Sequence, residues 1–247
     1  MEPVHHFAFD RSALSPADRL RSIGDAARAF REDFLAGGRV VLLRSVPLVH
    51  VPYPVRFGLS GAPRGFAPYM HIVNRMLVVR FEGEEGTRTL VVSPSDVDAN
   101  ERTPFFHRLL ARFGPLRDAA RRILAPRVHS VPEALAIAGV APDEVDWITY
   151  DHLHTQDLRR WLGVAGERGF FPRARLLVMR REWESAVAPT GPQRDWYCPD
   201  GVSGIDPSRV VLLDRDVRLE TGSRWWRRPG TPRATCPSSS RRPTALS

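Results

Sequence analysis

The chain has 247 residues, enough for one large domain or two small ones, and a hydrophobic content of 43% is ample for a packed core. Its formal net charge of +8 rests on 36 arginines, no lysine and 28 acidic residues. Six of the arginines (Arg224, Arg227, Arg228, Arg233, Arg241, Arg242) lie between Ser223 and Ser247, a stretch without acidic residues, so residues 1–222 hold 36 − 6 = 30 basic against 28 acidic groups and are close to neutral. That distribution argues against nucleic acid or an anionic membrane as a partner of the body. No run approaches the ~18–20 apolar residues of a membrane span, and the start has no basic-then-apolar leader, so the expected location is the cytoplasm. Two distant cysteines, Cys198 and Cys236, suggest neither a disulfide framework nor a zinc knuckle.

Ser15, Pro16 and Asp18 have the order of an N-cap, a first-turn proline and an acidic third position, and the helical pattern behind them runs to Leu35 before Gly37-Gly38. Three aliphatic and β-branched stretches follow as strands, Arg39–Val46, His71–Gly83 and Thr87–Pro94, the last two joined by a Gly/Glu turn. Between the first two lies Pro47–Met70, rich in Pro and Gly, too long for a simple connection and read as an ordered loop. A helix is expected from Thr103-Pro104 to about Leu124, and a short one over Pro132–Ala138 ended by Gly139. Trp147–Tyr150 reads as a buried strand, Asp157–Gly163 as helical, Arg173–Met179 as a strand, and Arg209–Gly222 as two strands about a tight turn. Interleaved strands and helices predict α/β layering.

The strand at Trp147 delivers the segment "ITYDHLHTQDLRRWLG", Ile148 to Gly163. His152 and His154 stand at i and i+2, so a strand continuing through them sends both side chains from one face. Two imidazoles so placed can share one ion at the ~2.0–2.1 Å usual between zinc and nitrogen. Asp151, Gln156 and Asp157 add oxygen donors or outer partners within the same few residues. Taken alone, His-x-His suits a surface or capping role as well as a metal.

The longer stretch "ALAIAGVAPDEVDWITYDHLHTQD" resembles the metallo-β-lactamase superfamily over its whole length: there a helix and an apolar strand lead to His-x-His-x-Asp-His. The match sets His152 and His154 at the first metal's positions, Gln156 at the usual Asp and Asp157 at the second metal's His. The flanks "FFPRARLLVMRREWESA" and "VVLLDRDVRLETG" look like elements of the lactonase-like branch, whereas Ser93-Pro94 replaces the Asp-Thr-Gly common there. The likeness covers about residues 39–222. It implies an αββα sandwich, Zn2+ or another divalent metal as one or two ions, a small-molecule substrate, and attack of a metal-activated water on an ester, lactone or similar carbonyl. It also implies His152 and His154 as metal ligands, Asp157 as a second-metal ligand or the catalytic residue orienting water, and Gln156 as a weak ligand.

The family's next element is a strand leading to Thr-Pro-Gly-His-Thr-x-Gly, whose histidine completes the first metal's shell. The chain instead reads "SRWWRRPGTPRATCPSSSRRPTALS", with the Arg, Pro and Ser content of disorder. Tryptophan has one codon, so Trp225-Trp226-Arg227 written with CGN arginine reads Val-Ala one base earlier, and the codons that follow permit Thr-Pro-Gly-His-Thr-Pro-Gly in that frame. The expectation is a frameshift near Gly222: residues 1–222 form a metallo-β-lactamase-like domain, incomplete at the C-terminus, and residues 223–247 are an out-of-frame tail. Such a chain is a weak or inactive hydrolase with an uncovered apolar face and a tendency to aggregate. The alternative from another class is a non-catalytic binding protein, with Gln156 and Asp157 marking a degenerate metal site. An amidohydrolase barrel is disfavoured, because too few residues follow His154 for a fold of ~250 residues.

Overall fold

Helix formation begins where the sequence offers a cap. The Ser15 Oγ accepts from the Asp18 amide at 3.2 Å, and helix α1 (Pro16–Ala36) starts there with proline in its first turn and ends against Gly37. The computed structural model describes residues 2–3, 15–55, 68–83, 86–215 and 217–219. Cys236, the tip of the Pro47–Met70 segment and the expected out-of-frame tail lie outside these residues.

Strand β1 (Glu2–Pro3) precedes α1; after it, β2 (Val40–Pro54), β3 (Tyr69–Gly83) and β4 (Gly86–Val92) run as an antiparallel meander. Helices α2 (Val97–Asn100), α3 (Pro104–Ala111), α4 (Arg117–Leu124) and α5 (Val131–Ala138) then carry the chain to β5 (Trp147–Thr149), which lies parallel to β4. Helix α6 (Arg159–Leu162) leads to β6 (Arg175–Met179), and α7 (Arg180–Val187) towards β7 (Val210–Leu213), each strand again parallel to its neighbour. The result is a mixed six-stranded sheet in the order β2-β3-β4-β5-β6-β7, the α/β architecture expected from the sequence.

Apolar residues at alternate strand positions build the core. Val46, Leu48, Met76, Val78, Val91, Ile148 and Leu176 are buried along the sheet, and α5 covers them with Val131, Ala134, Leu135 and Ala138. Each fully buried aliphatic side chain contributes about 1.5–3 kcal/mol. Helix α5 is placed by a complete capping box, Ser130 Oγ with the Glu133 amide and Glu133 carboxylate with the Ser130 amide, and by Gly139 at φ +67°.

Four local expectations are corrected. Strand β2 continues through Pro47 and Pro52 to Pro54, where a loop was expected, because it is an edge strand on which a missing N–H costs little, with a register shift between Pro47 and Val49. The helix expected from Pro104 to Leu124 is two helices, interrupted at Gly114 (φ +51°) and Pro115. Strand β5 ends at Thr149, so the histidines sit on a loop and not on a strand. The hairpin expected after Arg209 is absent among the described residues: β7 belongs to the large sheet, and β8 (Val217–Arg218) pairs antiparallel with β1. No helix among the described residues is long and apolar enough to cross a membrane.

Candidate metal centre

The histidine loop leaves the sheet at the C-terminal ends of its parallel strands. The Ser93 amide donates to the Thr149 carbonyl at 2.8 Å, holding the ends of β4 and β5 together. The Tyr150 hydroxyl donates to the Pro94 carbonyl at 2.8 Å, and burial, with the nearby Asp96, pushes this phenol well above its ordinary pKa. Beyond Tyr150 the chain turns sharply, with Thr155 at φ +67°.

Leu153 anchors the loop, its side chain buried in the core between the two histidines. Its amide donates to Oε1 of Glu182 on α7 at 2.7 Å, and the Tyr197 hydroxyl donates to the same oxygen at 3.3 Å. The Thr155 amide reaches the Trp196 carbonyl at 2.6 Å, and the Leu158 amide reaches the Gly201 carbonyl at 2.8 Å. A loop tied at these points presents its side chains from a fixed backbone.

Nδ1 of His152 lies 2.9 Å from Oδ2 of Asp151, an approach that favours the proton on Nδ1 and a lone pair on Nε2. The His152 and His154 rings are 5.0 Å apart between centroids and nearly perpendicular, at 80°. Burial, and then the charge of His152, hold the His154 pKa below the ordinary histidine value, with Glu182 and Asp151 opposing in part. A neutral imidazole is the form that ligates a metal.

An aromatic wall borders His154. Its ring meets Tyr197 edge-on at 4.8 Å and lies 6.5 Å from Trp196, which stacks on Phe105 at 4.4 Å. Burial, followed by the Glu182 charge and hydrogen bond, raises the Tyr197 phenol to about 12. Arg108 on α3 grips Asp195 with two hydrogen bonds, 3.1 and 2.7 Å, joining the Phe105 helix to the Trp196 turn.

The remaining candidates are placed differently. Gln156 is half-buried, its Nε2 3.5 Å from the Thr155 hydroxyl. Asp157 is buried, and its carboxylate accepts from Arg159 and Arg102. Among the described residues no group of three or more His, Cys, Asp and Glu side chains is arranged to hold a metal ion. A structural or hydrolytic zinc takes at least three protein ligands, so the described donors, two imidazoles, do not fit a complete site. Glu182, Tyr197, Arg102 and Arg159 were not singled out from the sequence; only Arg159, two residues after a carboxylate ahead of a helix, carried a local signal.

No protein-family model matches the chain, and no curated protein matches it. Among solved structures, a probable metal-dependent hydrolase from Staphylococcus aureus aligns over 74% of this chain and 62% of its own, with 13% identity and a TM-score of 0.48. A quorum-quenching N-acyl homoserine lactone lactonase aligns over 75% and 61%, with 15% identity and a TM-score of 0.46. A hydrolase of the beta-lactamase superfamily aligns over 74% and 63%, with 13% identity and a TM-score of 0.35. The chain thus spans less than two thirds of the length of these structures. Solved structures to which it is similar include a metal-dependent hydrolase, a lactonase and a hydrolase of the beta-lactamase superfamily.

Proposed function

We propose that the chain carries one half of a metal-dependent hydrolase site for an ester, lactone or similar carbonyl substrate. His152 and His154 are two nitrogen ligands of one divalent ion, Zn2+ in the first instance, and a third ligand comes from outside the described residues. The observation that supports this most is the ring pair itself: two imidazoles 5.0 Å apart on a loop held by Glu182 and by the Leu153 side chain, within a motif resembling the superfamily's own. The third ligand is the histidine of the displaced reading frame beyond Gly222, and the chain as written turns over such substrates weakly or not at all.

Bound zinc per chain, measured by equilibrium dialysis together with ester and lactone turnover, tests the proposal on three proteins. The chain as written is expected to hold well under one ion. A version with one base inserted at the Gly222–Ser223 codons is expected to hold one and to gain turnover, and its His152→Ala variant to lose both. Stoichiometric zinc and robust turnover in the chain as written contradict the proposal. A frame-restored protein without zinc contradicts it too, and favours a non-catalytic binding protein.

A further inference from the structure

Asp157 is 3% exposed, and each of its oxygens meets two donors. Oδ1 accepts from the Arg159 backbone amide at 3.1 Å and from its Nε at 3.0 Å; Oδ2 accepts from Arg159 Nη2 at 2.6 Å and from Arg102 Nη2. A carboxylate offers about four lone-pair sites, and here all four are taken. A metal ion at Asp157 must therefore displace a guanidinium from a buried anion, or sit beside two fixed positive charges.

We propose that Asp157 is a positioning residue: the shared anion of a two-arginine clamp that forms without metal and fixes the end of the histidine loop. Arg102, in the turn behind α2, lies 55 residues away in the chain, whereas Arg159 is the first residue of α6, so the clamp joins two separate elements at one carboxylate. The constraint runs back through the loop's own turn, in which the Gln156 amide donates to the Leu153 carbonyl at 3.1 Å. Glu182 holds the Leu153 amide. His154 therefore lies between two anchored points, one carboxylate on each side. The clamp also puts positive charge where the superfamily resemblance places a second ion, so the site takes one metal ion at most. That ion count rests on the hydrolase proposal; the clamp does not.

The test is made in a chelator, on the full chain, so that it is independent of metal binding. Urea unfolding is measured for the parent, Asp157→Asn, Arg102→Met and the double variant. Asp157→Asn keeps the shape and removes the charge, and is expected to lower the folding equilibrium constant about tenfold or more. Arg102→Met is expected to lower it less, because Arg102 is half exposed, and to add almost nothing once Asp157 is Asn. Should Asp157→Asn fail to fold, Arg102→Met still answers, since it leaves the three Arg159 hydrogen bonds in place. Its NMR spectrum is expected to show shifted resonances for the His154 ring and the Leu153 amide, and Asp157→Glu to stay closer to the parent than Asp157→Asn.

An Asp157→Asn chain as stable as the parent overturns the clamp, as do strictly additive effects of the two substitutions. Unmoved His154 and Leu153 resonances in Arg102→Met overturn the positioning role. Failure of the frame-restored protein to bind zinc overturns the hydrolase proposal and leaves the clamp standing.

Discussion

His154 and Glu182 show how single side chains set the behaviour of this site. Burial and His152 keep the folded-state pKa of His154 below the ~6.5 of an unfolded chain. Below that pH the unfolded chain binds the proton first, so the contribution of His154 to stability is present above ~6.5 and is lost as pH falls toward the lower folded value. Urea midpoints measured in a chelator are therefore expected to fall through this window, and His154→Gln to flatten the fall. An unchanged slope in that variant contradicts the assignment. Glu182 serves two donors with one oxygen, so Glu182→Leu removes the partner of the Leu153 amide and one of the hydrogen bonds of the Tyr197 hydroxyl, which keeps Ser185. A loss of about 1–3 kcal/mol in unfolding free energy is expected, with faster hydrogen exchange at Leu153. The sequence made the histidines legible because their spacing is local. Glu182 and Arg102 were not, since their contacts with the loop span 29 and 55 residues and no periodicity reports on them.

At the scale of elements, local chemistry was legible wherever a cap or a run of apolar residues decided the outcome. The Ser15 cap, the Gly139 stop and the central strands are of this kind. The misreadings came where tertiary context overrode composition: prolines look like loop formers until β2 proves to be an edge strand, and Gly114-Pro115 splits a pattern that otherwise runs on. Strand β5 is only three residues long, so its end at Thr149 could not be fixed from the apolar run alone. Gly201 is an element-level constraint on the site. A Cβ there would lie 2.5 Å from the Gln156 carbonyl oxygen, so Gly201→Ala must push apart the Gly201 turn and the end of the histidine loop. A cost of about 1–3 kcal/mol is expected, together with perturbed His154 resonances. A variant with the stability and spectrum of the parent contradicts this packing. Ile148→Ala, in the middle of the sheet and fully buried, is expected to cost about 2–5 kcal/mol, again read by urea unfolding.

At the scale of the whole molecule, several large apolar side chains among the described residues stand exposed on α1 and at one end of the sheet. Leu20, Phe34 and Leu35 on α1, and Val40, Val41 and Leu43 at the start of edge strand β2, are all exposed. The outer edge of β2 is covered near Leu48 and His50 by the segment at Pro126–Val128, while Val40, Val41 and Leu43 remain open to contact. Self-association that rises with concentration is expected in sedimentation velocity, and Leu43→Lys is expected to reduce it. A concentration-independent monomer contradicts that expectation.

In the proposed function His152 and His154 are two ligands of a single divalent ion, and the third is the histidine of the displaced frame beyond Gly222. X-ray absorption at the zinc edge of the frame-restored protein is the decisive measurement, because it counts the imidazoles around the metal. Three are expected, and the zinc itself is expected to be lost when His152 and His154 are both replaced by Ala. An unchanged imidazole count in that double variant, or a zinc shell without imidazole in the parent, contradicts the claim.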